Sequence, residues 1–220
     1  MDVTEFFTDF ARLGPGWVMY LLILLSIISI GVMIDRFLWF RARDTDCERF
    51  TKELKSAIDH DELDRFIGKH KDNPAVPVQV AIRGLDERKR GVEAVAEAMH
   101  GEKSRWRRAG DSNLIVLGTL GNNVPFVGLF GTVLGVIKAF DQFQTDKPGA
   151  DKLVIAELSK ALTATAVGLL VAIPAVVAYN YFSRRLKVIL GGADECAHAV
   201  LSNLYGREPQ DKKKAADGGA

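Results

Sequence analysis

The chain has 220 residues, 48% of them hydrophobic and 26% charged, with a formal net charge of +1. That length suits one globular domain or a small membrane protein, and the balanced charge carries no nucleic-acid signature. A mean hydropathy of +0.05 arises only because very apolar runs are averaged with very charged connectors.

In residues 1–16, Val3, Phe6, Phe7, Phe10 and Leu13 fall at helical spacing with Asp2, Glu5 and Asp9 opposite. This predicts a short amphipathic helix lying in the membrane interface. Residues 13–34 then contain no Asp, Glu, Lys, Arg or His, and the same holds for residues 112–137 and 161–183. Each run is long enough to cross a bilayer, whereas buried helices of soluble proteins rarely stay uncharged for so long. The spans are assigned to residues 17–40, 112–137 and 161–183. An acidic leader and the lack of a small-x-small cleavage site make the first an uncleaved span rather than a signal peptide. Trp17, Tyr20, Trp39 and Phe40 bracket it as interfacial anchors. Its Leu/Ile-rich middle, with Ser26 and Ser29, has no strip of small residues, which predicts the more lipid-exposed helix.

Residues 41–111 form a connector too long and too patterned for a plain loop. Phe50, Leu54, Ala57 and Ile58 make one apolar face, and Leu63, Phe66 and Ile67 another. Asn73-Pro74 and Pro77 break the pattern, and Val92, Val95, Ala96 and Met99 resume it towards Trp106. Short helices are expected here, the last running almost directly into the second span. His60, His70, His100 and His198 show no metal-ligand spacing and read as surface residues. Residues 138–160 form a loop with a turn at 145–149. Residues 184–206 are expected to form a helix interrupted at Gly191-Gly192, and residues 207–220 a disordered tail.

Lys and Arg set the orientation. The leader holds only Arg12, whereas Arg36, Arg41, Arg43, Lys103, Arg105, Arg107 and Arg108 flank the connector and Arg184, Arg185 and Lys187 follow the third span. The N-terminus is therefore predicted outside, with the connector and C-terminus in the cytoplasm. Cys47 and Cys196 then lie in a reducing compartment, where a structural disulfide is not expected.

The second span carries Gly118, Gly121, Pro125, Gly128, Thr132 and Gly135 at spacings of three and four, on one face. The third answers with Ala161, Thr165, Gly168, Ala172, Ala175 and Tyr179. Such strips let helix backbones approach closely in lipid, in a hairpin or a ring of hairpins. Thr132 and Thr165 fall roughly 10–12 Å outward of the midplane at ~1.5 Å per residue. On spacing alone two readings stand: the hydroxyls line a narrow polar path, or each bonds a carbonyl of its own helix, which is the commoner arrangement. Asn122 and Asn123 near the midplane point to interhelical hydrogen bonds or a water-filled interior.

No span contains an ionisable side chain, yet transport driven by a membrane potential normally needs a group that changes charge within the membrane. If the chain conducts protons, another subunit brings the carboxylate. No nucleophile–base pair, metal cluster or phosphate loop is visible, so neither an enzyme nor a cofactor is expected.

The runs Pro125-Phe-Val-Gly-Leu-Phe-Gly-Thr-Val-Leu-Gly135 and Ala161-Leu-Thr-Ala-Thr-Ala-Val-Gly-Leu-Leu-Val-Ala-Ile-Pro-Ala175, followed by Tyr179-Asn180, resemble the MotA/TolQ/ExbB proton-channel family. Three spans and an outside N-terminus resemble its TolQ/ExbB branch, since MotA proteins have four spans. The resemblance implies an all-α inner-membrane protein with three transmembrane helices and cytoplasmic helical extensions, assembling as a ring. The ring is a homopentamer whose second and third spans line a pore. Within the pore, a dimer of an ExbD/TolR-like single-span partner carries a membrane aspartate. Proton flux onto that aspartate turns the partner and sends work across the periplasm, through a TonB/TolA-like or a motility partner. Thr132 and Thr165 match the family's pore threonines, and the resemblance favours the proton path for both. Many relatives carry a glutamate five residues before the position of Thr165, where this chain has Lys160. Glu157, one turn earlier, can pair with Lys160 or partly substitute for that carboxylate. The competing expectation is a non-conducting membrane scaffold whose strips only pack an oligomer.

Overall fold

The computed structural model describes residues 14–205 apart from 44, 46 and 144–149. The expectations for the leader, the 145–149 turn and the tail fall on residues outside the described ones. The described residues are helical, with no strand among them: α1 (Gly16–Ala42), α2 (Cys47–Asp59), α3 (Leu63–His70), α4 (Val76–Asp86), α5 (Val92–Asp111), α6 (Leu114–Phe143) and α7 (Ala150–Tyr205). Three helices are long and apolar enough to cross a membrane. By contacts the chain divides into two units, residues 1–36 with 113–181, and residues 37–112 with 182–220.

The first unit holds the apolar spans. Val18 and Leu22 of α1, Val124 and Leu134 of α6, and Val171 and Ala172 of α7 form its core. In the most apolar window of α1 only 17% of residues are buried, against 33% in those of the other two spans. α1 thus presents the most surface outward, as its lack of small residues leads one to expect. Its inner contacts fall at a glycine: a Cβ on Gly131 would lie 3.2 Å from Val18 Cγ1 and 2.8 Å from Ala164 Cβ. Beyond the apolar run of α1, Asp35 accepts from Asn113 Nδ2 at 2.9 Å and from Arg36 Nη2 at 2.7 Å, with Arg36 only 5% exposed. Pro125 and Pro174 lie inside unbroken helices. Membrane helices tolerate this because neighbours re-satisfy the freed carbonyls.

In the second unit α2 and α3 close on each other through Phe50 and Phe66, whose ring centroids are 5.3 Å apart. His70 stacks beside them, 4.6 Å from the Phe66 centroid, with its side chain 13% exposed. It is therefore a packing residue and not the expected surface histidine; the aromatic pair leaves a flat slot that an imidazole fills. Glu53 gathers Lys69 at 2.8 Å, His70 at 3.3 Å and Arg49 at 3.3 Å. The Lys69 hydrogen bond, above all, holds the Glu53 carboxyl below the usual glutamate range.

Pro77 does not break a helix but starts one. It stands in the first turn of α4, where a missing N–H costs nothing, and Asn73 Oδ1 accepts from the Ala75 N–H at 2.9 Å just before it. Val76, Val78, Val80, Ala81, Ile82 and Leu85 of α4 are all buried. α5 packs against it, with Gly84 leaving room for Met99 and Val95.

The expected interruption at Gly191-Gly192 is absent, since α7 is unbroken over 56 residues. Glycine costs a helix about 1 kcal/mol relative to alanine, and packing offsets that here. Cys47 Sγ donates to the Gly192 carbonyl at 3.2 Å and would lie 2.9 Å from a Cβ at that position. Cys47 and Cys196 are not joined in a disulfide. Burial, then the Cys47 side chain beside it, push the Cys196 thiol far above its ordinary value. The 138–160 connector is also more helical than expected, because α6 continues to Phe143 and α7 already begins at Ala150.

Candidate functional site

The small-residue strips of α6 and α7 meet. A Cβ on Gly118 would lie 3.2 Å from the Tyr179 ring, and one on Gly121 would lie 3.1 Å from the Val176 backbone nitrogen. One on Gly128 would lie 3.0 Å from the Ala164 carbonyl oxygen and 3.1 Å from Thr165 Cα. One on Gly168 would lie 3.1 Å from Gly128 Cα and 3.2 Å from the Val124 carbonyl oxygen, and Gly135 packs against Ala161 Cβ. At Gly128 and Gly168 the atoms met are backbone, which cannot give without parting the helices, whereas at Gly118 the Tyr179 ring would have to shift. Ala161, Ala172 and Ala175 are buried along the seam, Gly118 and Pro125 are half-buried, and Tyr179 is 37% exposed.

This antiparallel register sets Gly131 beside Ala164 and Gly135 beside Ala161, with Gly128 against Gly168. Thr132 then falls level with Ala164, one residue from Thr165, so the threonines differ in level by about 1.5 Å. Both are half-buried at the edge of the seam. Their hydroxyls are spent differently. Thr132 Oγ1 donates to the Leu129 carbonyl of its own helix at 2.6 Å. Thr165 Oγ1 donates across the seam to the Gly128 carbonyl at 3.1 Å. A hydroxyl that donates still offers lone pairs as acceptors, so neither bond closes the oxygen to a second partner.

Asn122 and Asn123 are exposed on α6, and Asn123 Nδ2 donates to the Thr119 carbonyl of its own helix at 2.9 Å. At the end of the seam where α6 runs out and α7 begins, Lys160 Nζ donates to Glu157 Oε1 at 2.9 Å, and Lys138 Nζ lies 4.0 Å from Glu157 Oε2. Glu157 is thus held between two ammonium groups, with its side chain 12% exposed. Sequence reasoning missed Lys138, Gly131 and Ala164. The signal for Gly131 was present, because it continues the three-and-four spacing from Gly128 to Gly135 as a second glycine line. Among the described residues no cluster of His, Cys, Asp or Glu is arranged to hold a metal.

The sequence model of the MotA/TolQ/ExbB proton channel family matches residues 72–194. Over 185 residues the chain is 35% identical to the Tol-Pal system protein TolQ of Pseudomonas aeruginosa, covering 79% of this chain and 80% of that one. It is 30% identical over 183 residues to the TolQ of Haemophilus influenzae, covering 78% and 80%. Over 98 residues it is 40% identical to the biopolymer transport protein ExbB of Neisseria gonorrhoeae, a match covering 44% of each chain.

The chain belongs to the MotA/TolQ/ExbB proton channel family, a channel family and not an enzyme family. Within it the relatives named TolQ and ExbB place the chain in the TolQ/ExbB branch. Family membership and three apolar helices together support a multi-pass inner-membrane protein.

Proposed function

We propose that this chain is the channel-forming stator subunit of a proton-motive-force-driven motor in the inner membrane. Its N-terminus faces the periplasm, its connector and C-terminus the cytoplasm, and it assembles as a homopentameric ring. The observation that carries the reading is the Thr165 hydroxyl bonded across the helix seam to Gly128, level with Thr132 in spans that hold no ionisable side chain. Such a seam can relay a proton but not store one, so an ExbD/TolR-like single-span partner supplies the membrane aspartate. Asn122 and Asn123 support assembly, because amides exposed at mid-span are costly against lipid and suit a neighbouring subunit or a wet pore. Glu157 and Lys160 sit at the outer vestibule. No cofactor takes part; the proton is the transported ion. The work is delivered through a TonB/TolA-like or motility partner for TonB-type uptake, Tol-Pal envelope maintenance or motility.

A non-conducting scaffold is the second reading, favoured by the back-bond of Thr132 and by the packing of the two strips against each other within one chain. Purification of the native complex in mild detergent, with its companions identified by mass spectrometry, separates the two. The stator reading expects a single-span companion with an aspartate in its span. An oligomer that lacks one in several detergents has no carboxylate to titrate, and the scaffold reading then replaces it.

A further inference from the structure

In the second unit two cysteines far apart in sequence meet at a glycine. Cys47, the first residue of α2, donates from its Sγ to the Gly192 carbonyl at 3.2 Å, and a Cβ on Gly192 would lie 2.9 Å from that sulfur. At the neighbouring Gly191 a Cβ would meet nothing within 4 Å. Cys196 stands one helical turn further along α7, and helix geometry tilts its Cβ back towards residue 192. The two thiols are thus brought together, and they share a hydrogen bond. The approach of Cys47 is fixed from α4 as well. The Arg43 carbonyl accepts from the Val76 N–H at 3.2 Å, and Pro77 Cγ would lie 3.6 Å from a Cβ on Gly192. α2, α4 and α7 converge on the sulfur pair.

The two thiols are unequal. Cys196 is fully buried, whereas Cys47 is half-buried. Burial also keeps the Cys196 proton on its sulfur. A buried, protonated thiol is inert towards dissolved oxidants, so Cys47 is the sulfur they meet first. A sulfenic acid formed there has a second thiol already in contact to resolve it.

We infer that Cys47 and Cys196 form an oxidative modification site, a dithiol that a small hydroperoxide converts into a reversible disulfide between α2 and α7. Cys47 Sγ attacks one oxygen of hydrogen peroxide, the O–O bond breaks, and the thiol proton leaves with the departing hydroxide as water. Cys196 Sγ then attacks the sulfenic sulfur. The S–O bond breaks, and a second water carries off the Cys196 proton. One peroxide takes up the two electrons that the two thiols lose. Cellular thiols reverse the bond by exchange, entering at the accessible Cys47 sulfur. A reducing compartment therefore keeps the pair as thiols at rest, and the disulfide closes only when peroxide outruns reduction. Closed, it fastens the start of the connector to the extension of the third span. The site stands on the second unit alone and does not depend on the stator reading.

The test uses the full chain purified reduced in mild detergent, freed of reductant and treated with hydrogen peroxide. Mass spectrometry then reads the intact chain and its peptides, digested without reduction. The expected result is a monomer lighter by two hydrogens, a linked peptide pair containing Cys47 and Cys196, and full reversal by dithiothreitol. The oxidised chain should unfold about 5–10 °C above the reduced one, because closing so long a loop restrains the unfolded state. Cys196→Ser should lose the link and carry a sulfenic acid on Cys47 that dimedone traps. Cys47→Ser should lose the link and leave Cys196 unmodified. Links between chains instead of within one, over-oxidised Cys47 with no linked peptide, or dimedone on Cys196 in Cys47→Ser overturns the site. So does an oxidised chain that is no more stable than the reduced one. If either variant elutes as a misassembled species, the linked peptide and the unfolding midpoint of the parent chain decide.

Discussion

The Thr165 hydroxyl donates to the Gly128 carbonyl at 3.1 Å, across the closest approach of α6 and α7. A threonine in a membrane helix has a carbonyl of its own helix within reach and ordinarily takes it. Thr165 instead bonds the Gly128 carbonyl, which the close approach at Gly128 and Gly168 brings within reach. The hydroxyl is thereby aimed by two helices at once. In the stator reading this fixes one station of a proton relay. Thr165→Val keeps the shape and removes the hydroxyl; we expect motor output to fall more than tenfold while the oligomer still elutes intact. Thr165→Ser restores the hydroxyl and should recover most of the output. A purely structural bond is worth only ~1 kcal/mol and would shift thermal stability without silencing the motor. Growth of a chromosomal replacement under envelope stress or iron limitation, beside size-exclusion of the complex, decides between them.

The glycines of the chain are not equivalent, and two of them make a matched pair. A Cβ on Gly128 meets backbone atoms at 3.0 and 3.1 Å, which cannot move without parting the helices. A Cβ on Gly101 of α5 meets nothing within 4 Å. Gly128→Ala should therefore cost about 1–3 kcal/mol, as over-packing does, and Gly101→Ala should gain about 0.5–1 kcal/mol of helix propensity. Thermal unfolding in detergent checks the order: Gly101→Ala above the parent, Gly128→Ala below it.

The spans were legible because lipid leaves so few choices: a run without charge over residues 112–137 has nowhere else to go. Their pairing was legible for the same reason, since Gly118, Gly121, Gly128 and Gly135 stand at intervals that only a close neighbour explains. What escaped were features set by contacts distant in sequence. Gly191-Gly192 reads as a break, yet Cys47, 145 residues away, packs on Gly192 and the helix runs through. Pro77 reads as a breaker because periodicity does not say on which side of a proline the helix begins. His70 reads as surface because its slot is formed by two rings that α2 and α3 bring together only on folding. The different partners of Thr132 and Thr165 depend on tenths of an ångström, and no spacing rule resolves those.

Glu53 makes the α2–α3 pair sensitive to acid. Its carboxyl titrates below the usual glutamate range in the folded chain, chiefly because Lys69 donates to it at 2.8 Å. A depressed folded value means that the unfolded chain takes up the proton first as pH falls. The stabilisation is thus present above the ordinary glutamate value and is lost as pH drops through the lower folded one. Hydrogen-exchange protection factors of residues 47–70, with each rate divided by the intrinsic amide rate at the same pH, should be higher at pH 6 than at pH 4. In Glu53→Gln that difference should shrink, and an undiminished pH dependence would place its origin elsewhere.

Glu157 and Lys160 form one ion pair, but their contributions should be unequal. Lys160 has 65% of its side chain exposed, so the pair is screened from its side and Lys160→Gln should change stability by less than about 1 kcal/mol. Glu157 is 12% exposed, and Lys138 lies 4.0 Å from its second oxygen. Removing the carboxylate leaves Lys138 and Lys160 facing each other across a neutral amide, with Lys138 only 31% exposed. Glu157→Gln should therefore cost more than Lys160→Gln, on the order of 1–3 kcal/mol, as when one partner of a partly desolvated pair is lost. The double variant Lys138→Gln/Glu157→Gln should recover part of that loss, because it removes the stranded ammonium along with the carboxylate. Unfolding midpoints of the three variants at low and high salt test the ranking: the cost of Glu157→Gln should fall as salt screens the two lysines. Equal costs for the two single variants would mean that Lys138 contributes nothing at 4.0 Å, and that this end of the seam is held by Lys160 alone.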